Sequence, residues 1–216
     1  MLILAVPSFA DEADGVSTKG ILDDKKPKDA LQLVGEKGHL FVPESEKVKS
    51  QWVFKDGILT ASPKWDSVVT PGAYSDFRMH LEFNVNSVPD VDAEKNGNSG
   101  VYIQHRYELQ ILNSHGVAPE DYKASYAGSL YRQKKPDKLV SRPAGEWQSY
   151  EIVFRAARFE GEKKTENARI SVKHNGVLIH DDYALTNKTG AGKKEGPEPF
   201  PIKLQGHHNP VKFRNV

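Results

Sequence analysis

From Phe77 to Val85 the chain alternates without a fault: Phe77, Met79, Leu81, Phe83 and Val85 are apolar, and Arg78, His80, Glu82 and Asn84 stand between them. A period of two puts the five apolar side chains on one face of an extended strand, which no helix can do. The pattern predicts a strand over 74–85 with one face in a core and His80 and Glu82 on the solvent side. No helix-period segment of useful length occurs elsewhere. Further strand-like runs are Trp52–Leu59 around Asp56-Gly57, Trp147–Phe159, Ala168–His180 around Asn175-Gly176, Phe200–Gln205 and Val211–Val216. Asp-Gly and Asn-Gly supply the left-handed backbone of two-residue hairpins. Short strands separated by Gly, Pro and Asn turns point to two packed antiparallel sheets.

The chain has 216 residues, enough for one all-β domain. The expected organisation is a signal-peptide remnant over 1–10, an N-terminal segment over 11–50 and a single sandwich domain over 51–216. Leu2–Val6 is apolar and Ser8-Phe9-Ala10 fits the small-x-small pattern of a cleavage site, although the usual basic start is missing. This reads as a clipped signal, and so as an exported protein, periplasmic or secreted. No other run is long enough to span a bilayer. Thirty Lys and Arg against 29 Asp and Glu leave a net charge of +1, so no global field favours nucleic acid. There is no cysteine, which removes disulfides, thiolate nucleophiles and cysteine-ligated zinc.

The stretch Asn98–Ser114 reads as two strands and a tight turn. Tyr107, Leu109 and Ile111 take one face, while Glu108 and Gln110, with Tyr102 and Gln104 across the turn, take the other. By pattern alone a solvated face is the commoner reading. A carboxylate and an amide in mid-sheet beside the Tyr102 ring also suit a polar ligand. The connection 115–146 is unusually long and rich in Tyr122, Tyr126, Tyr131 and Arg132, which favours function over disorder. Glu108 is the only acid in the central stretch, so a two-carboxylate glycosidase within one strand is not supported.

Four ordered blocks carry a resemblance: N-S-G-V-Y-I-Q-x-R-Y-E-L-Q-I-L-N-S, G-E-W-Q-S-Y-E-I-V-F-R-A-x-R-F, H-N-G-V-L-I and L-Q-x-H-x-N-P-V-x-F-R-N. Together they resemble the 3-keto-disaccharide hydrolase family. The resemblance implies an all-β, concanavalin A-like jelly-roll sandwich of two antiparallel sheets, with a face for carbohydrate. It implies cleavage of an oligosaccharide or keto-sugar by removal of the C2 proton, elimination and hydration. Glu108 and His207 are then the candidate base and acid. Tyr102, Gln104, Arg106, Gln110, Tyr131 and Asn113 are the candidate substrate contacts. Gly206 stands where the family commonly has an acid, His208 where it has glycine, and Asn113 where it often has Asp. Calcium is the expected ion if Glu108 and Asn113 converge. The alternative is a non-catalytic, lectin-like carbohydrate-binding module, because fold does not fix function.

Overall fold

The computed structural model describes Thr18 and residues 27–47, 49–87 and 95–216. The signal expected over 1–10 lies outside the described residues. One antiparallel sheet has seven strands, in the order Val177–Leu185, Ala168–His174, Trp147–Arg155, Phe77–Asn84, Lys212–Arg214, Ile58–Thr60 and Val53–Lys55. A second has five, in the order Val42–Pro43, Val68–Val69, Lys203–Leu204, Ser99–Ile103 and Tyr107–Ile111. The chain crosses repeatedly between them, giving a concanavalin A-like jelly-roll sandwich, and no α-helix occurs among the described residues.

The alternation that begins at Phe77 buries Met79, Leu81 and Phe83 between the sheets and leaves His80 exposed. Glu82, half-buried, accepts from Arg214 Nε at 2.6 Å and from Asn215 Nδ2 at 2.7 Å, which ties the last strand to its neighbour. From the facing sheet Val101, Ile103, Tyr107, Leu109, Ile111 and Leu204 fill the same core. The layers are pinned where the buried Tyr150 hydroxyl donates to the Gln110 carbonyl at 2.7 Å. The packed body begins upstream of residue 51: Leu33, Val34 and Phe41 are buried in this core, and the Leu33 and Val34 amides donate to the Val216 carbonyl.

Both predicted hairpins form, with Asp56 and Gly57 at φ 51° and 76° and Asn175 and Gly176 at 51° and 78°. A third tight turn has no glycine. Gln104 and His105 take φ 52° and 53°, and the Arg106 amide donates to the Ile103 carbonyl at 3.0 Å. Two left-handed residues with side chains are costly and need outside contacts to hold them. Here Gln104 Nε2 donates to the Tyr74 carbonyl at 2.8 Å, and Arg106 donates to Gln104 Oε1 and to the carbonyls of Lys194 and Glu198. The strand therefore ends at Ile103, and Gln104 lies in the turn instead of continuing the Tyr102 face as the alternation suggested.

Candidate active site

On Tyr107–Ile111 the odd residues enter the core, so Glu108 and Gln110 project from the outer face of the five-stranded sheet. The strand is an edge strand and not the mid-sheet position its polarity suggested. Its open side is covered by the long 115–146 connection: Gln110 N–H donates to Ser129 O, Gly128 N–H to Gln110 O and Tyr131 N–H to Glu108 O. That pairing satisfies an edge that would otherwise be exposed, and it seats Tyr131 beside Glu108. Tyr122 and Tyr126 instead pack with Leu112 and Ala127 in a small satellite core.

Register brings together the polar outer row. Tyr102 is paired with Glu108 on one side and with Lys203 on the other. The Tyr102 hydroxyl donates to Glu108 Oε2 at 2.9 Å, and Lys203 Nζ lies 4.3 Å from the centre of the Tyr102 ring. Gly100, level with Gln110, leaves room for the carboxylate: a Cβ there would lie 2.6 Å from Glu108 Oε1. Thr189 and Gly190 close the other side. Thr189 Oγ1 accepts the Glu108 amide at 2.7 Å, and a Cβ on Gly190 would lie 2.9 Å from the Tyr131 ring and 3.7 Å from Glu108 Oε2.

Glu108 is only 3% exposed. Burial disfavours its ionised form and lifts its pKa from an ordinary 4.5 to about 7, against the opposing pull of the Tyr102 hydrogen bond and the charges of Lys203 and Arg132. Tyr102 is driven the same way by burial and by the Glu108 charge, so its hydroxyl keeps its proton. The pair is thus a carboxyl group that titrates near neutrality joined to a phenol that remains a donor.

Beyond this row, Glu44 accepts from Lys203 Nζ at 3.2 Å and lies 3.6 Å from His105 Nδ1. That spacing would suit an ion pair, but burial and the Lys203 charge hold His105 down to about 4, so the imidazole is neutral at pH 7. Its Nε2 is buried without a hydrogen-bond partner.

The other residues expected in the site divide. Gln110 shares the Glu108 face, donates to Asn98 Oδ1 at 3.1 Å and keeps a buried Oε1 unpaired. Gln104 and Arg106 spend their hydrogen bonds on the turn, and the Arg106 guanidinium stacks on Phe200 at 4.7 Å. Asn113 sits past the end of the strand, where its amide donates to the Asn96 carbonyl. His207 lies four residues beyond Lys203, its ring 4.1 Å from that of Trp65, and no hydrogen bond or ion pair joins it to Glu108 among the described residues. Burial lowers its pKa.

The donor set does not fit calcium at Glu108. Asn113 is five residues along an extended chain, roughly 16 Å away, and Lys203 and Arg132 supply positive charge beside the carboxylate. Among the described residues no three His, Asp or Glu side chains group as metal ligands.

Lys203, Glu44, His105, Thr189 and Gly190 were not singled out by sequence. The alternation of Ile202, Lys203, Leu204 and Gln205 shows that Lys203 faces outward, but only the strand register places it on Tyr102.

Residues 37–216 match the sequence model of the 3-keto-alpha-glucoside-1,2-lyase-like domain. Among solved structures, a provisionally named glycosyl hydrolase from Parabacteroides distasonis ATCC 8503 is 29% identical with a TM-score of 0.78, over 88% of this chain and 82% of that one. A second of the same description and organism is 25% identical with a TM-score of 0.51, over 76% and 87%. A third, at 16% identity and a TM-score of 0.56 over 85% of each chain, shares the fold. No curated protein matches the chain.

Proposed function

The chain belongs to the 3-keto-alpha-glucoside-1,2-lyase-like family, and from that premise and the buried Tyr102–Glu108 pair we propose that it cleaves 3-keto-glycosides by elimination followed by hydration. The observation that carries the reading is one carboxyl group, lifted to about 7, on the outer face of the sheet and hydrogen-bonded to a phenol.

A ketone at C3 makes the C2 hydrogen acidic, and a base poised near neutrality is matched to removing it. Glu108 takes that proton, and the electron pair is held as an enolate whose oxygen is stabilised by the positive charge of Lys203 and Arg132. The enolate then re-forms the ketone, a C1–C2 double bond forms and the C1–O bond breaks. Tyr102 gives its proton to the departing oxygen and recovers one from Glu108 along their 2.9 Å hydrogen bond. Water adds to C1 of the enone and a proton returns to C2, which leaves the 3-keto sugar. The half-buried side chains of Tyr131 and Lys203 and the exposed one of Arg132 must part to admit the ring.

The test is incubation with 3-keto-trehalose, 3-keto-cellobiose and their unoxidised parents, with release of 3-keto-glucose followed by mass spectrometry. Only the keto forms should be cleaved, with deuterium entering at C2 in heavy water. Glu108→Gln should lose ~10²–10⁴-fold in turnover. Sugar binding without cleavage of any of the four would make this face a carbohydrate-binding module. Export belongs to the same proposal and is checked by sequencing the N-terminus of the mature protein, where cleavage after Ala10 is expected.

A further inference from the structure

Trp65 is 62% exposed, and it is the one aromatic ring among the large exposed apolar side chains of the described residues. An indole left in water is unfavourable, and an isolated one on a loose loop would signify little. This loop is fixed at several points. Asp66 Oδ2 accepts the Gln51 amide at 2.8 Å, Asp66 O accepts the Trp52 indole N–H at 2.7 Å, and Ser62 Oγ accepts the Lys64 amide at 3.1 Å. Gly206 packs so closely on the Asp66 backbone that a Cβ there would lie 1.9 Å from the Asp66 carbonyl oxygen. The indole is also backed by two imidazoles. The His207 ring lies 4.1 Å away, and His208 stands edge-on at 5.4 Å, held in the left-handed region at φ 61°. A strained residue in a braced aromatic cluster marks a surface that is shaped in advance.

Beside the indole is a small cavity of about 70 Å³ lined by Pro43, Glu44, Ser45, Asp66 and Ser67 together with Trp65 itself. An aromatic plate next to polar acceptors is the pattern that receives a sugar ring, with its C–H face on the plate and its hydroxyls on the acceptors. Glu44 makes this corner continuous with the Tyr102–Glu108 pair, because it accepts from Lys203, whose ammonium lies over Tyr102. The strand that follows Trp65, Val68–Val69, is three strands from Tyr107–Ile111, a distance of roughly 14 Å. A single ring cannot touch both places, whereas two linked rings can.

We propose that Trp65 is the floor of a second subsite, which holds the leaving-group ring of a two-ring keto-glycoside while Glu108 acts on the oxidised ring. This rests on the reading of Glu108 given above. His207 then acts as a brace for the indole. The subsite makes the protein selective for disaccharides and longer glycosides over simple alkyl glycosides.

The experiment compares wild type, Trp65→Ala and Trp65→Phe on 3-keto-trehalose and 3-keto-cellobiose and on methyl 3-keto-glucosides. Trp65→Ala should raise KM about tenfold for at least one two-ring substrate with kcat unchanged, leave the methyl glycosides unaffected, and be largely rescued in Trp65→Phe. An equal shift on both substrate classes, or no shift, overturns the proposal. Should the wild type turn over none of them, the reading of Glu108 fails, and calorimetric titration with the same 3-keto disaccharides decides the subsite separately. Binding about tenfold weaker in Trp65→Ala upholds it, and equal or undetectable binding in both proteins removes it.

Discussion

At the scale of single residues the chemistry rests on where two protons sit. Glu108 must be ionised to act as a base, so kcat/KM should rise with pH and level off above about 7. Tyr102→Phe removes a hydrogen bond that favours the carboxylate, so it should move this limb to higher pH as well as slow turnover. A limb that stays in place would separate Tyr102 from Glu108. The same group carries a stability signature of opposite sign to most carboxylates. Its pKa is higher in the folded chain than in the unfolded one, so its contribution is complete below about 4.5 and is lost as pH rises through about 7. Ionising it in place costs up to about 3 kcal/mol at alkaline pH. Glu108→Gln, inactive, should therefore melt no lower than wild type at pH 9, and thermal scans of the two proteins check this.

At the scale of elements, the outer row depends on strands whose inner faces were built for another purpose. Leu109 and Tyr107 fix Glu108 by being core residues, and Ile103 and Val101 fix Tyr102 in the same way. Gly100 is the point where that geometry is most sensitive. Its added Cβ would meet the far end of a side chain, the Glu108 carboxylate, so Gly100→Ala should displace the base and cut activity at least tenfold while the melting temperature changes little. Gly206→Ala is the contrasting case. Its Cβ would meet Asp66 backbone, which cannot swing aside, so a loss of ~1–3 kcal/mol in urea unfolding is expected. If Gly100→Ala unfolded the protein as readily, the close approach at Gly100 would be a packing requirement of the sheet and not an accommodation of Glu108.

For the whole molecule, the buried imidazoles set the acid limit. Burial holds His174 down to about 3 and His180 to about 4, against an ordinary 6.5. The unfolded chain takes up these protons first, so the stability that depends on neutral imidazoles is complete above pH 6.5 and is lost as pH falls towards 3. His180 shows why protonation is costly: its Nε2 lies 2.7 Å from the Gly128 carbonyl, while its Nδ1 is buried with no acceptor. Gly128 opens the stretch that pairs with the Glu108 strand, so the melting temperature and the covering of the active strand should fail together between pH 6.5 and 4. A melting temperature flat over that range in Glu108→Gln, which lacks the opposing contribution of Glu108, would show that these imidazoles are not buried in the neutral form. The strand class, both Asx-Gly hairpins, the inward face of Phe77–Asn84 and the outward direction of Glu108, Gln110 and Tyr102 were legible in the residues alone, because alternation and left-handed turns are local properties of the chain. The sequence could not show that the Glu108 strand is an edge, that Gln104 and Arg106 are consumed in a turn, that Lys203 lies on Tyr102 or that His207 backs Trp65. Those facts depend on register between strands more than a hundred residues apart, Lys203 with Tyr102 and with Val69 among them, and that register is decided only when the core closes.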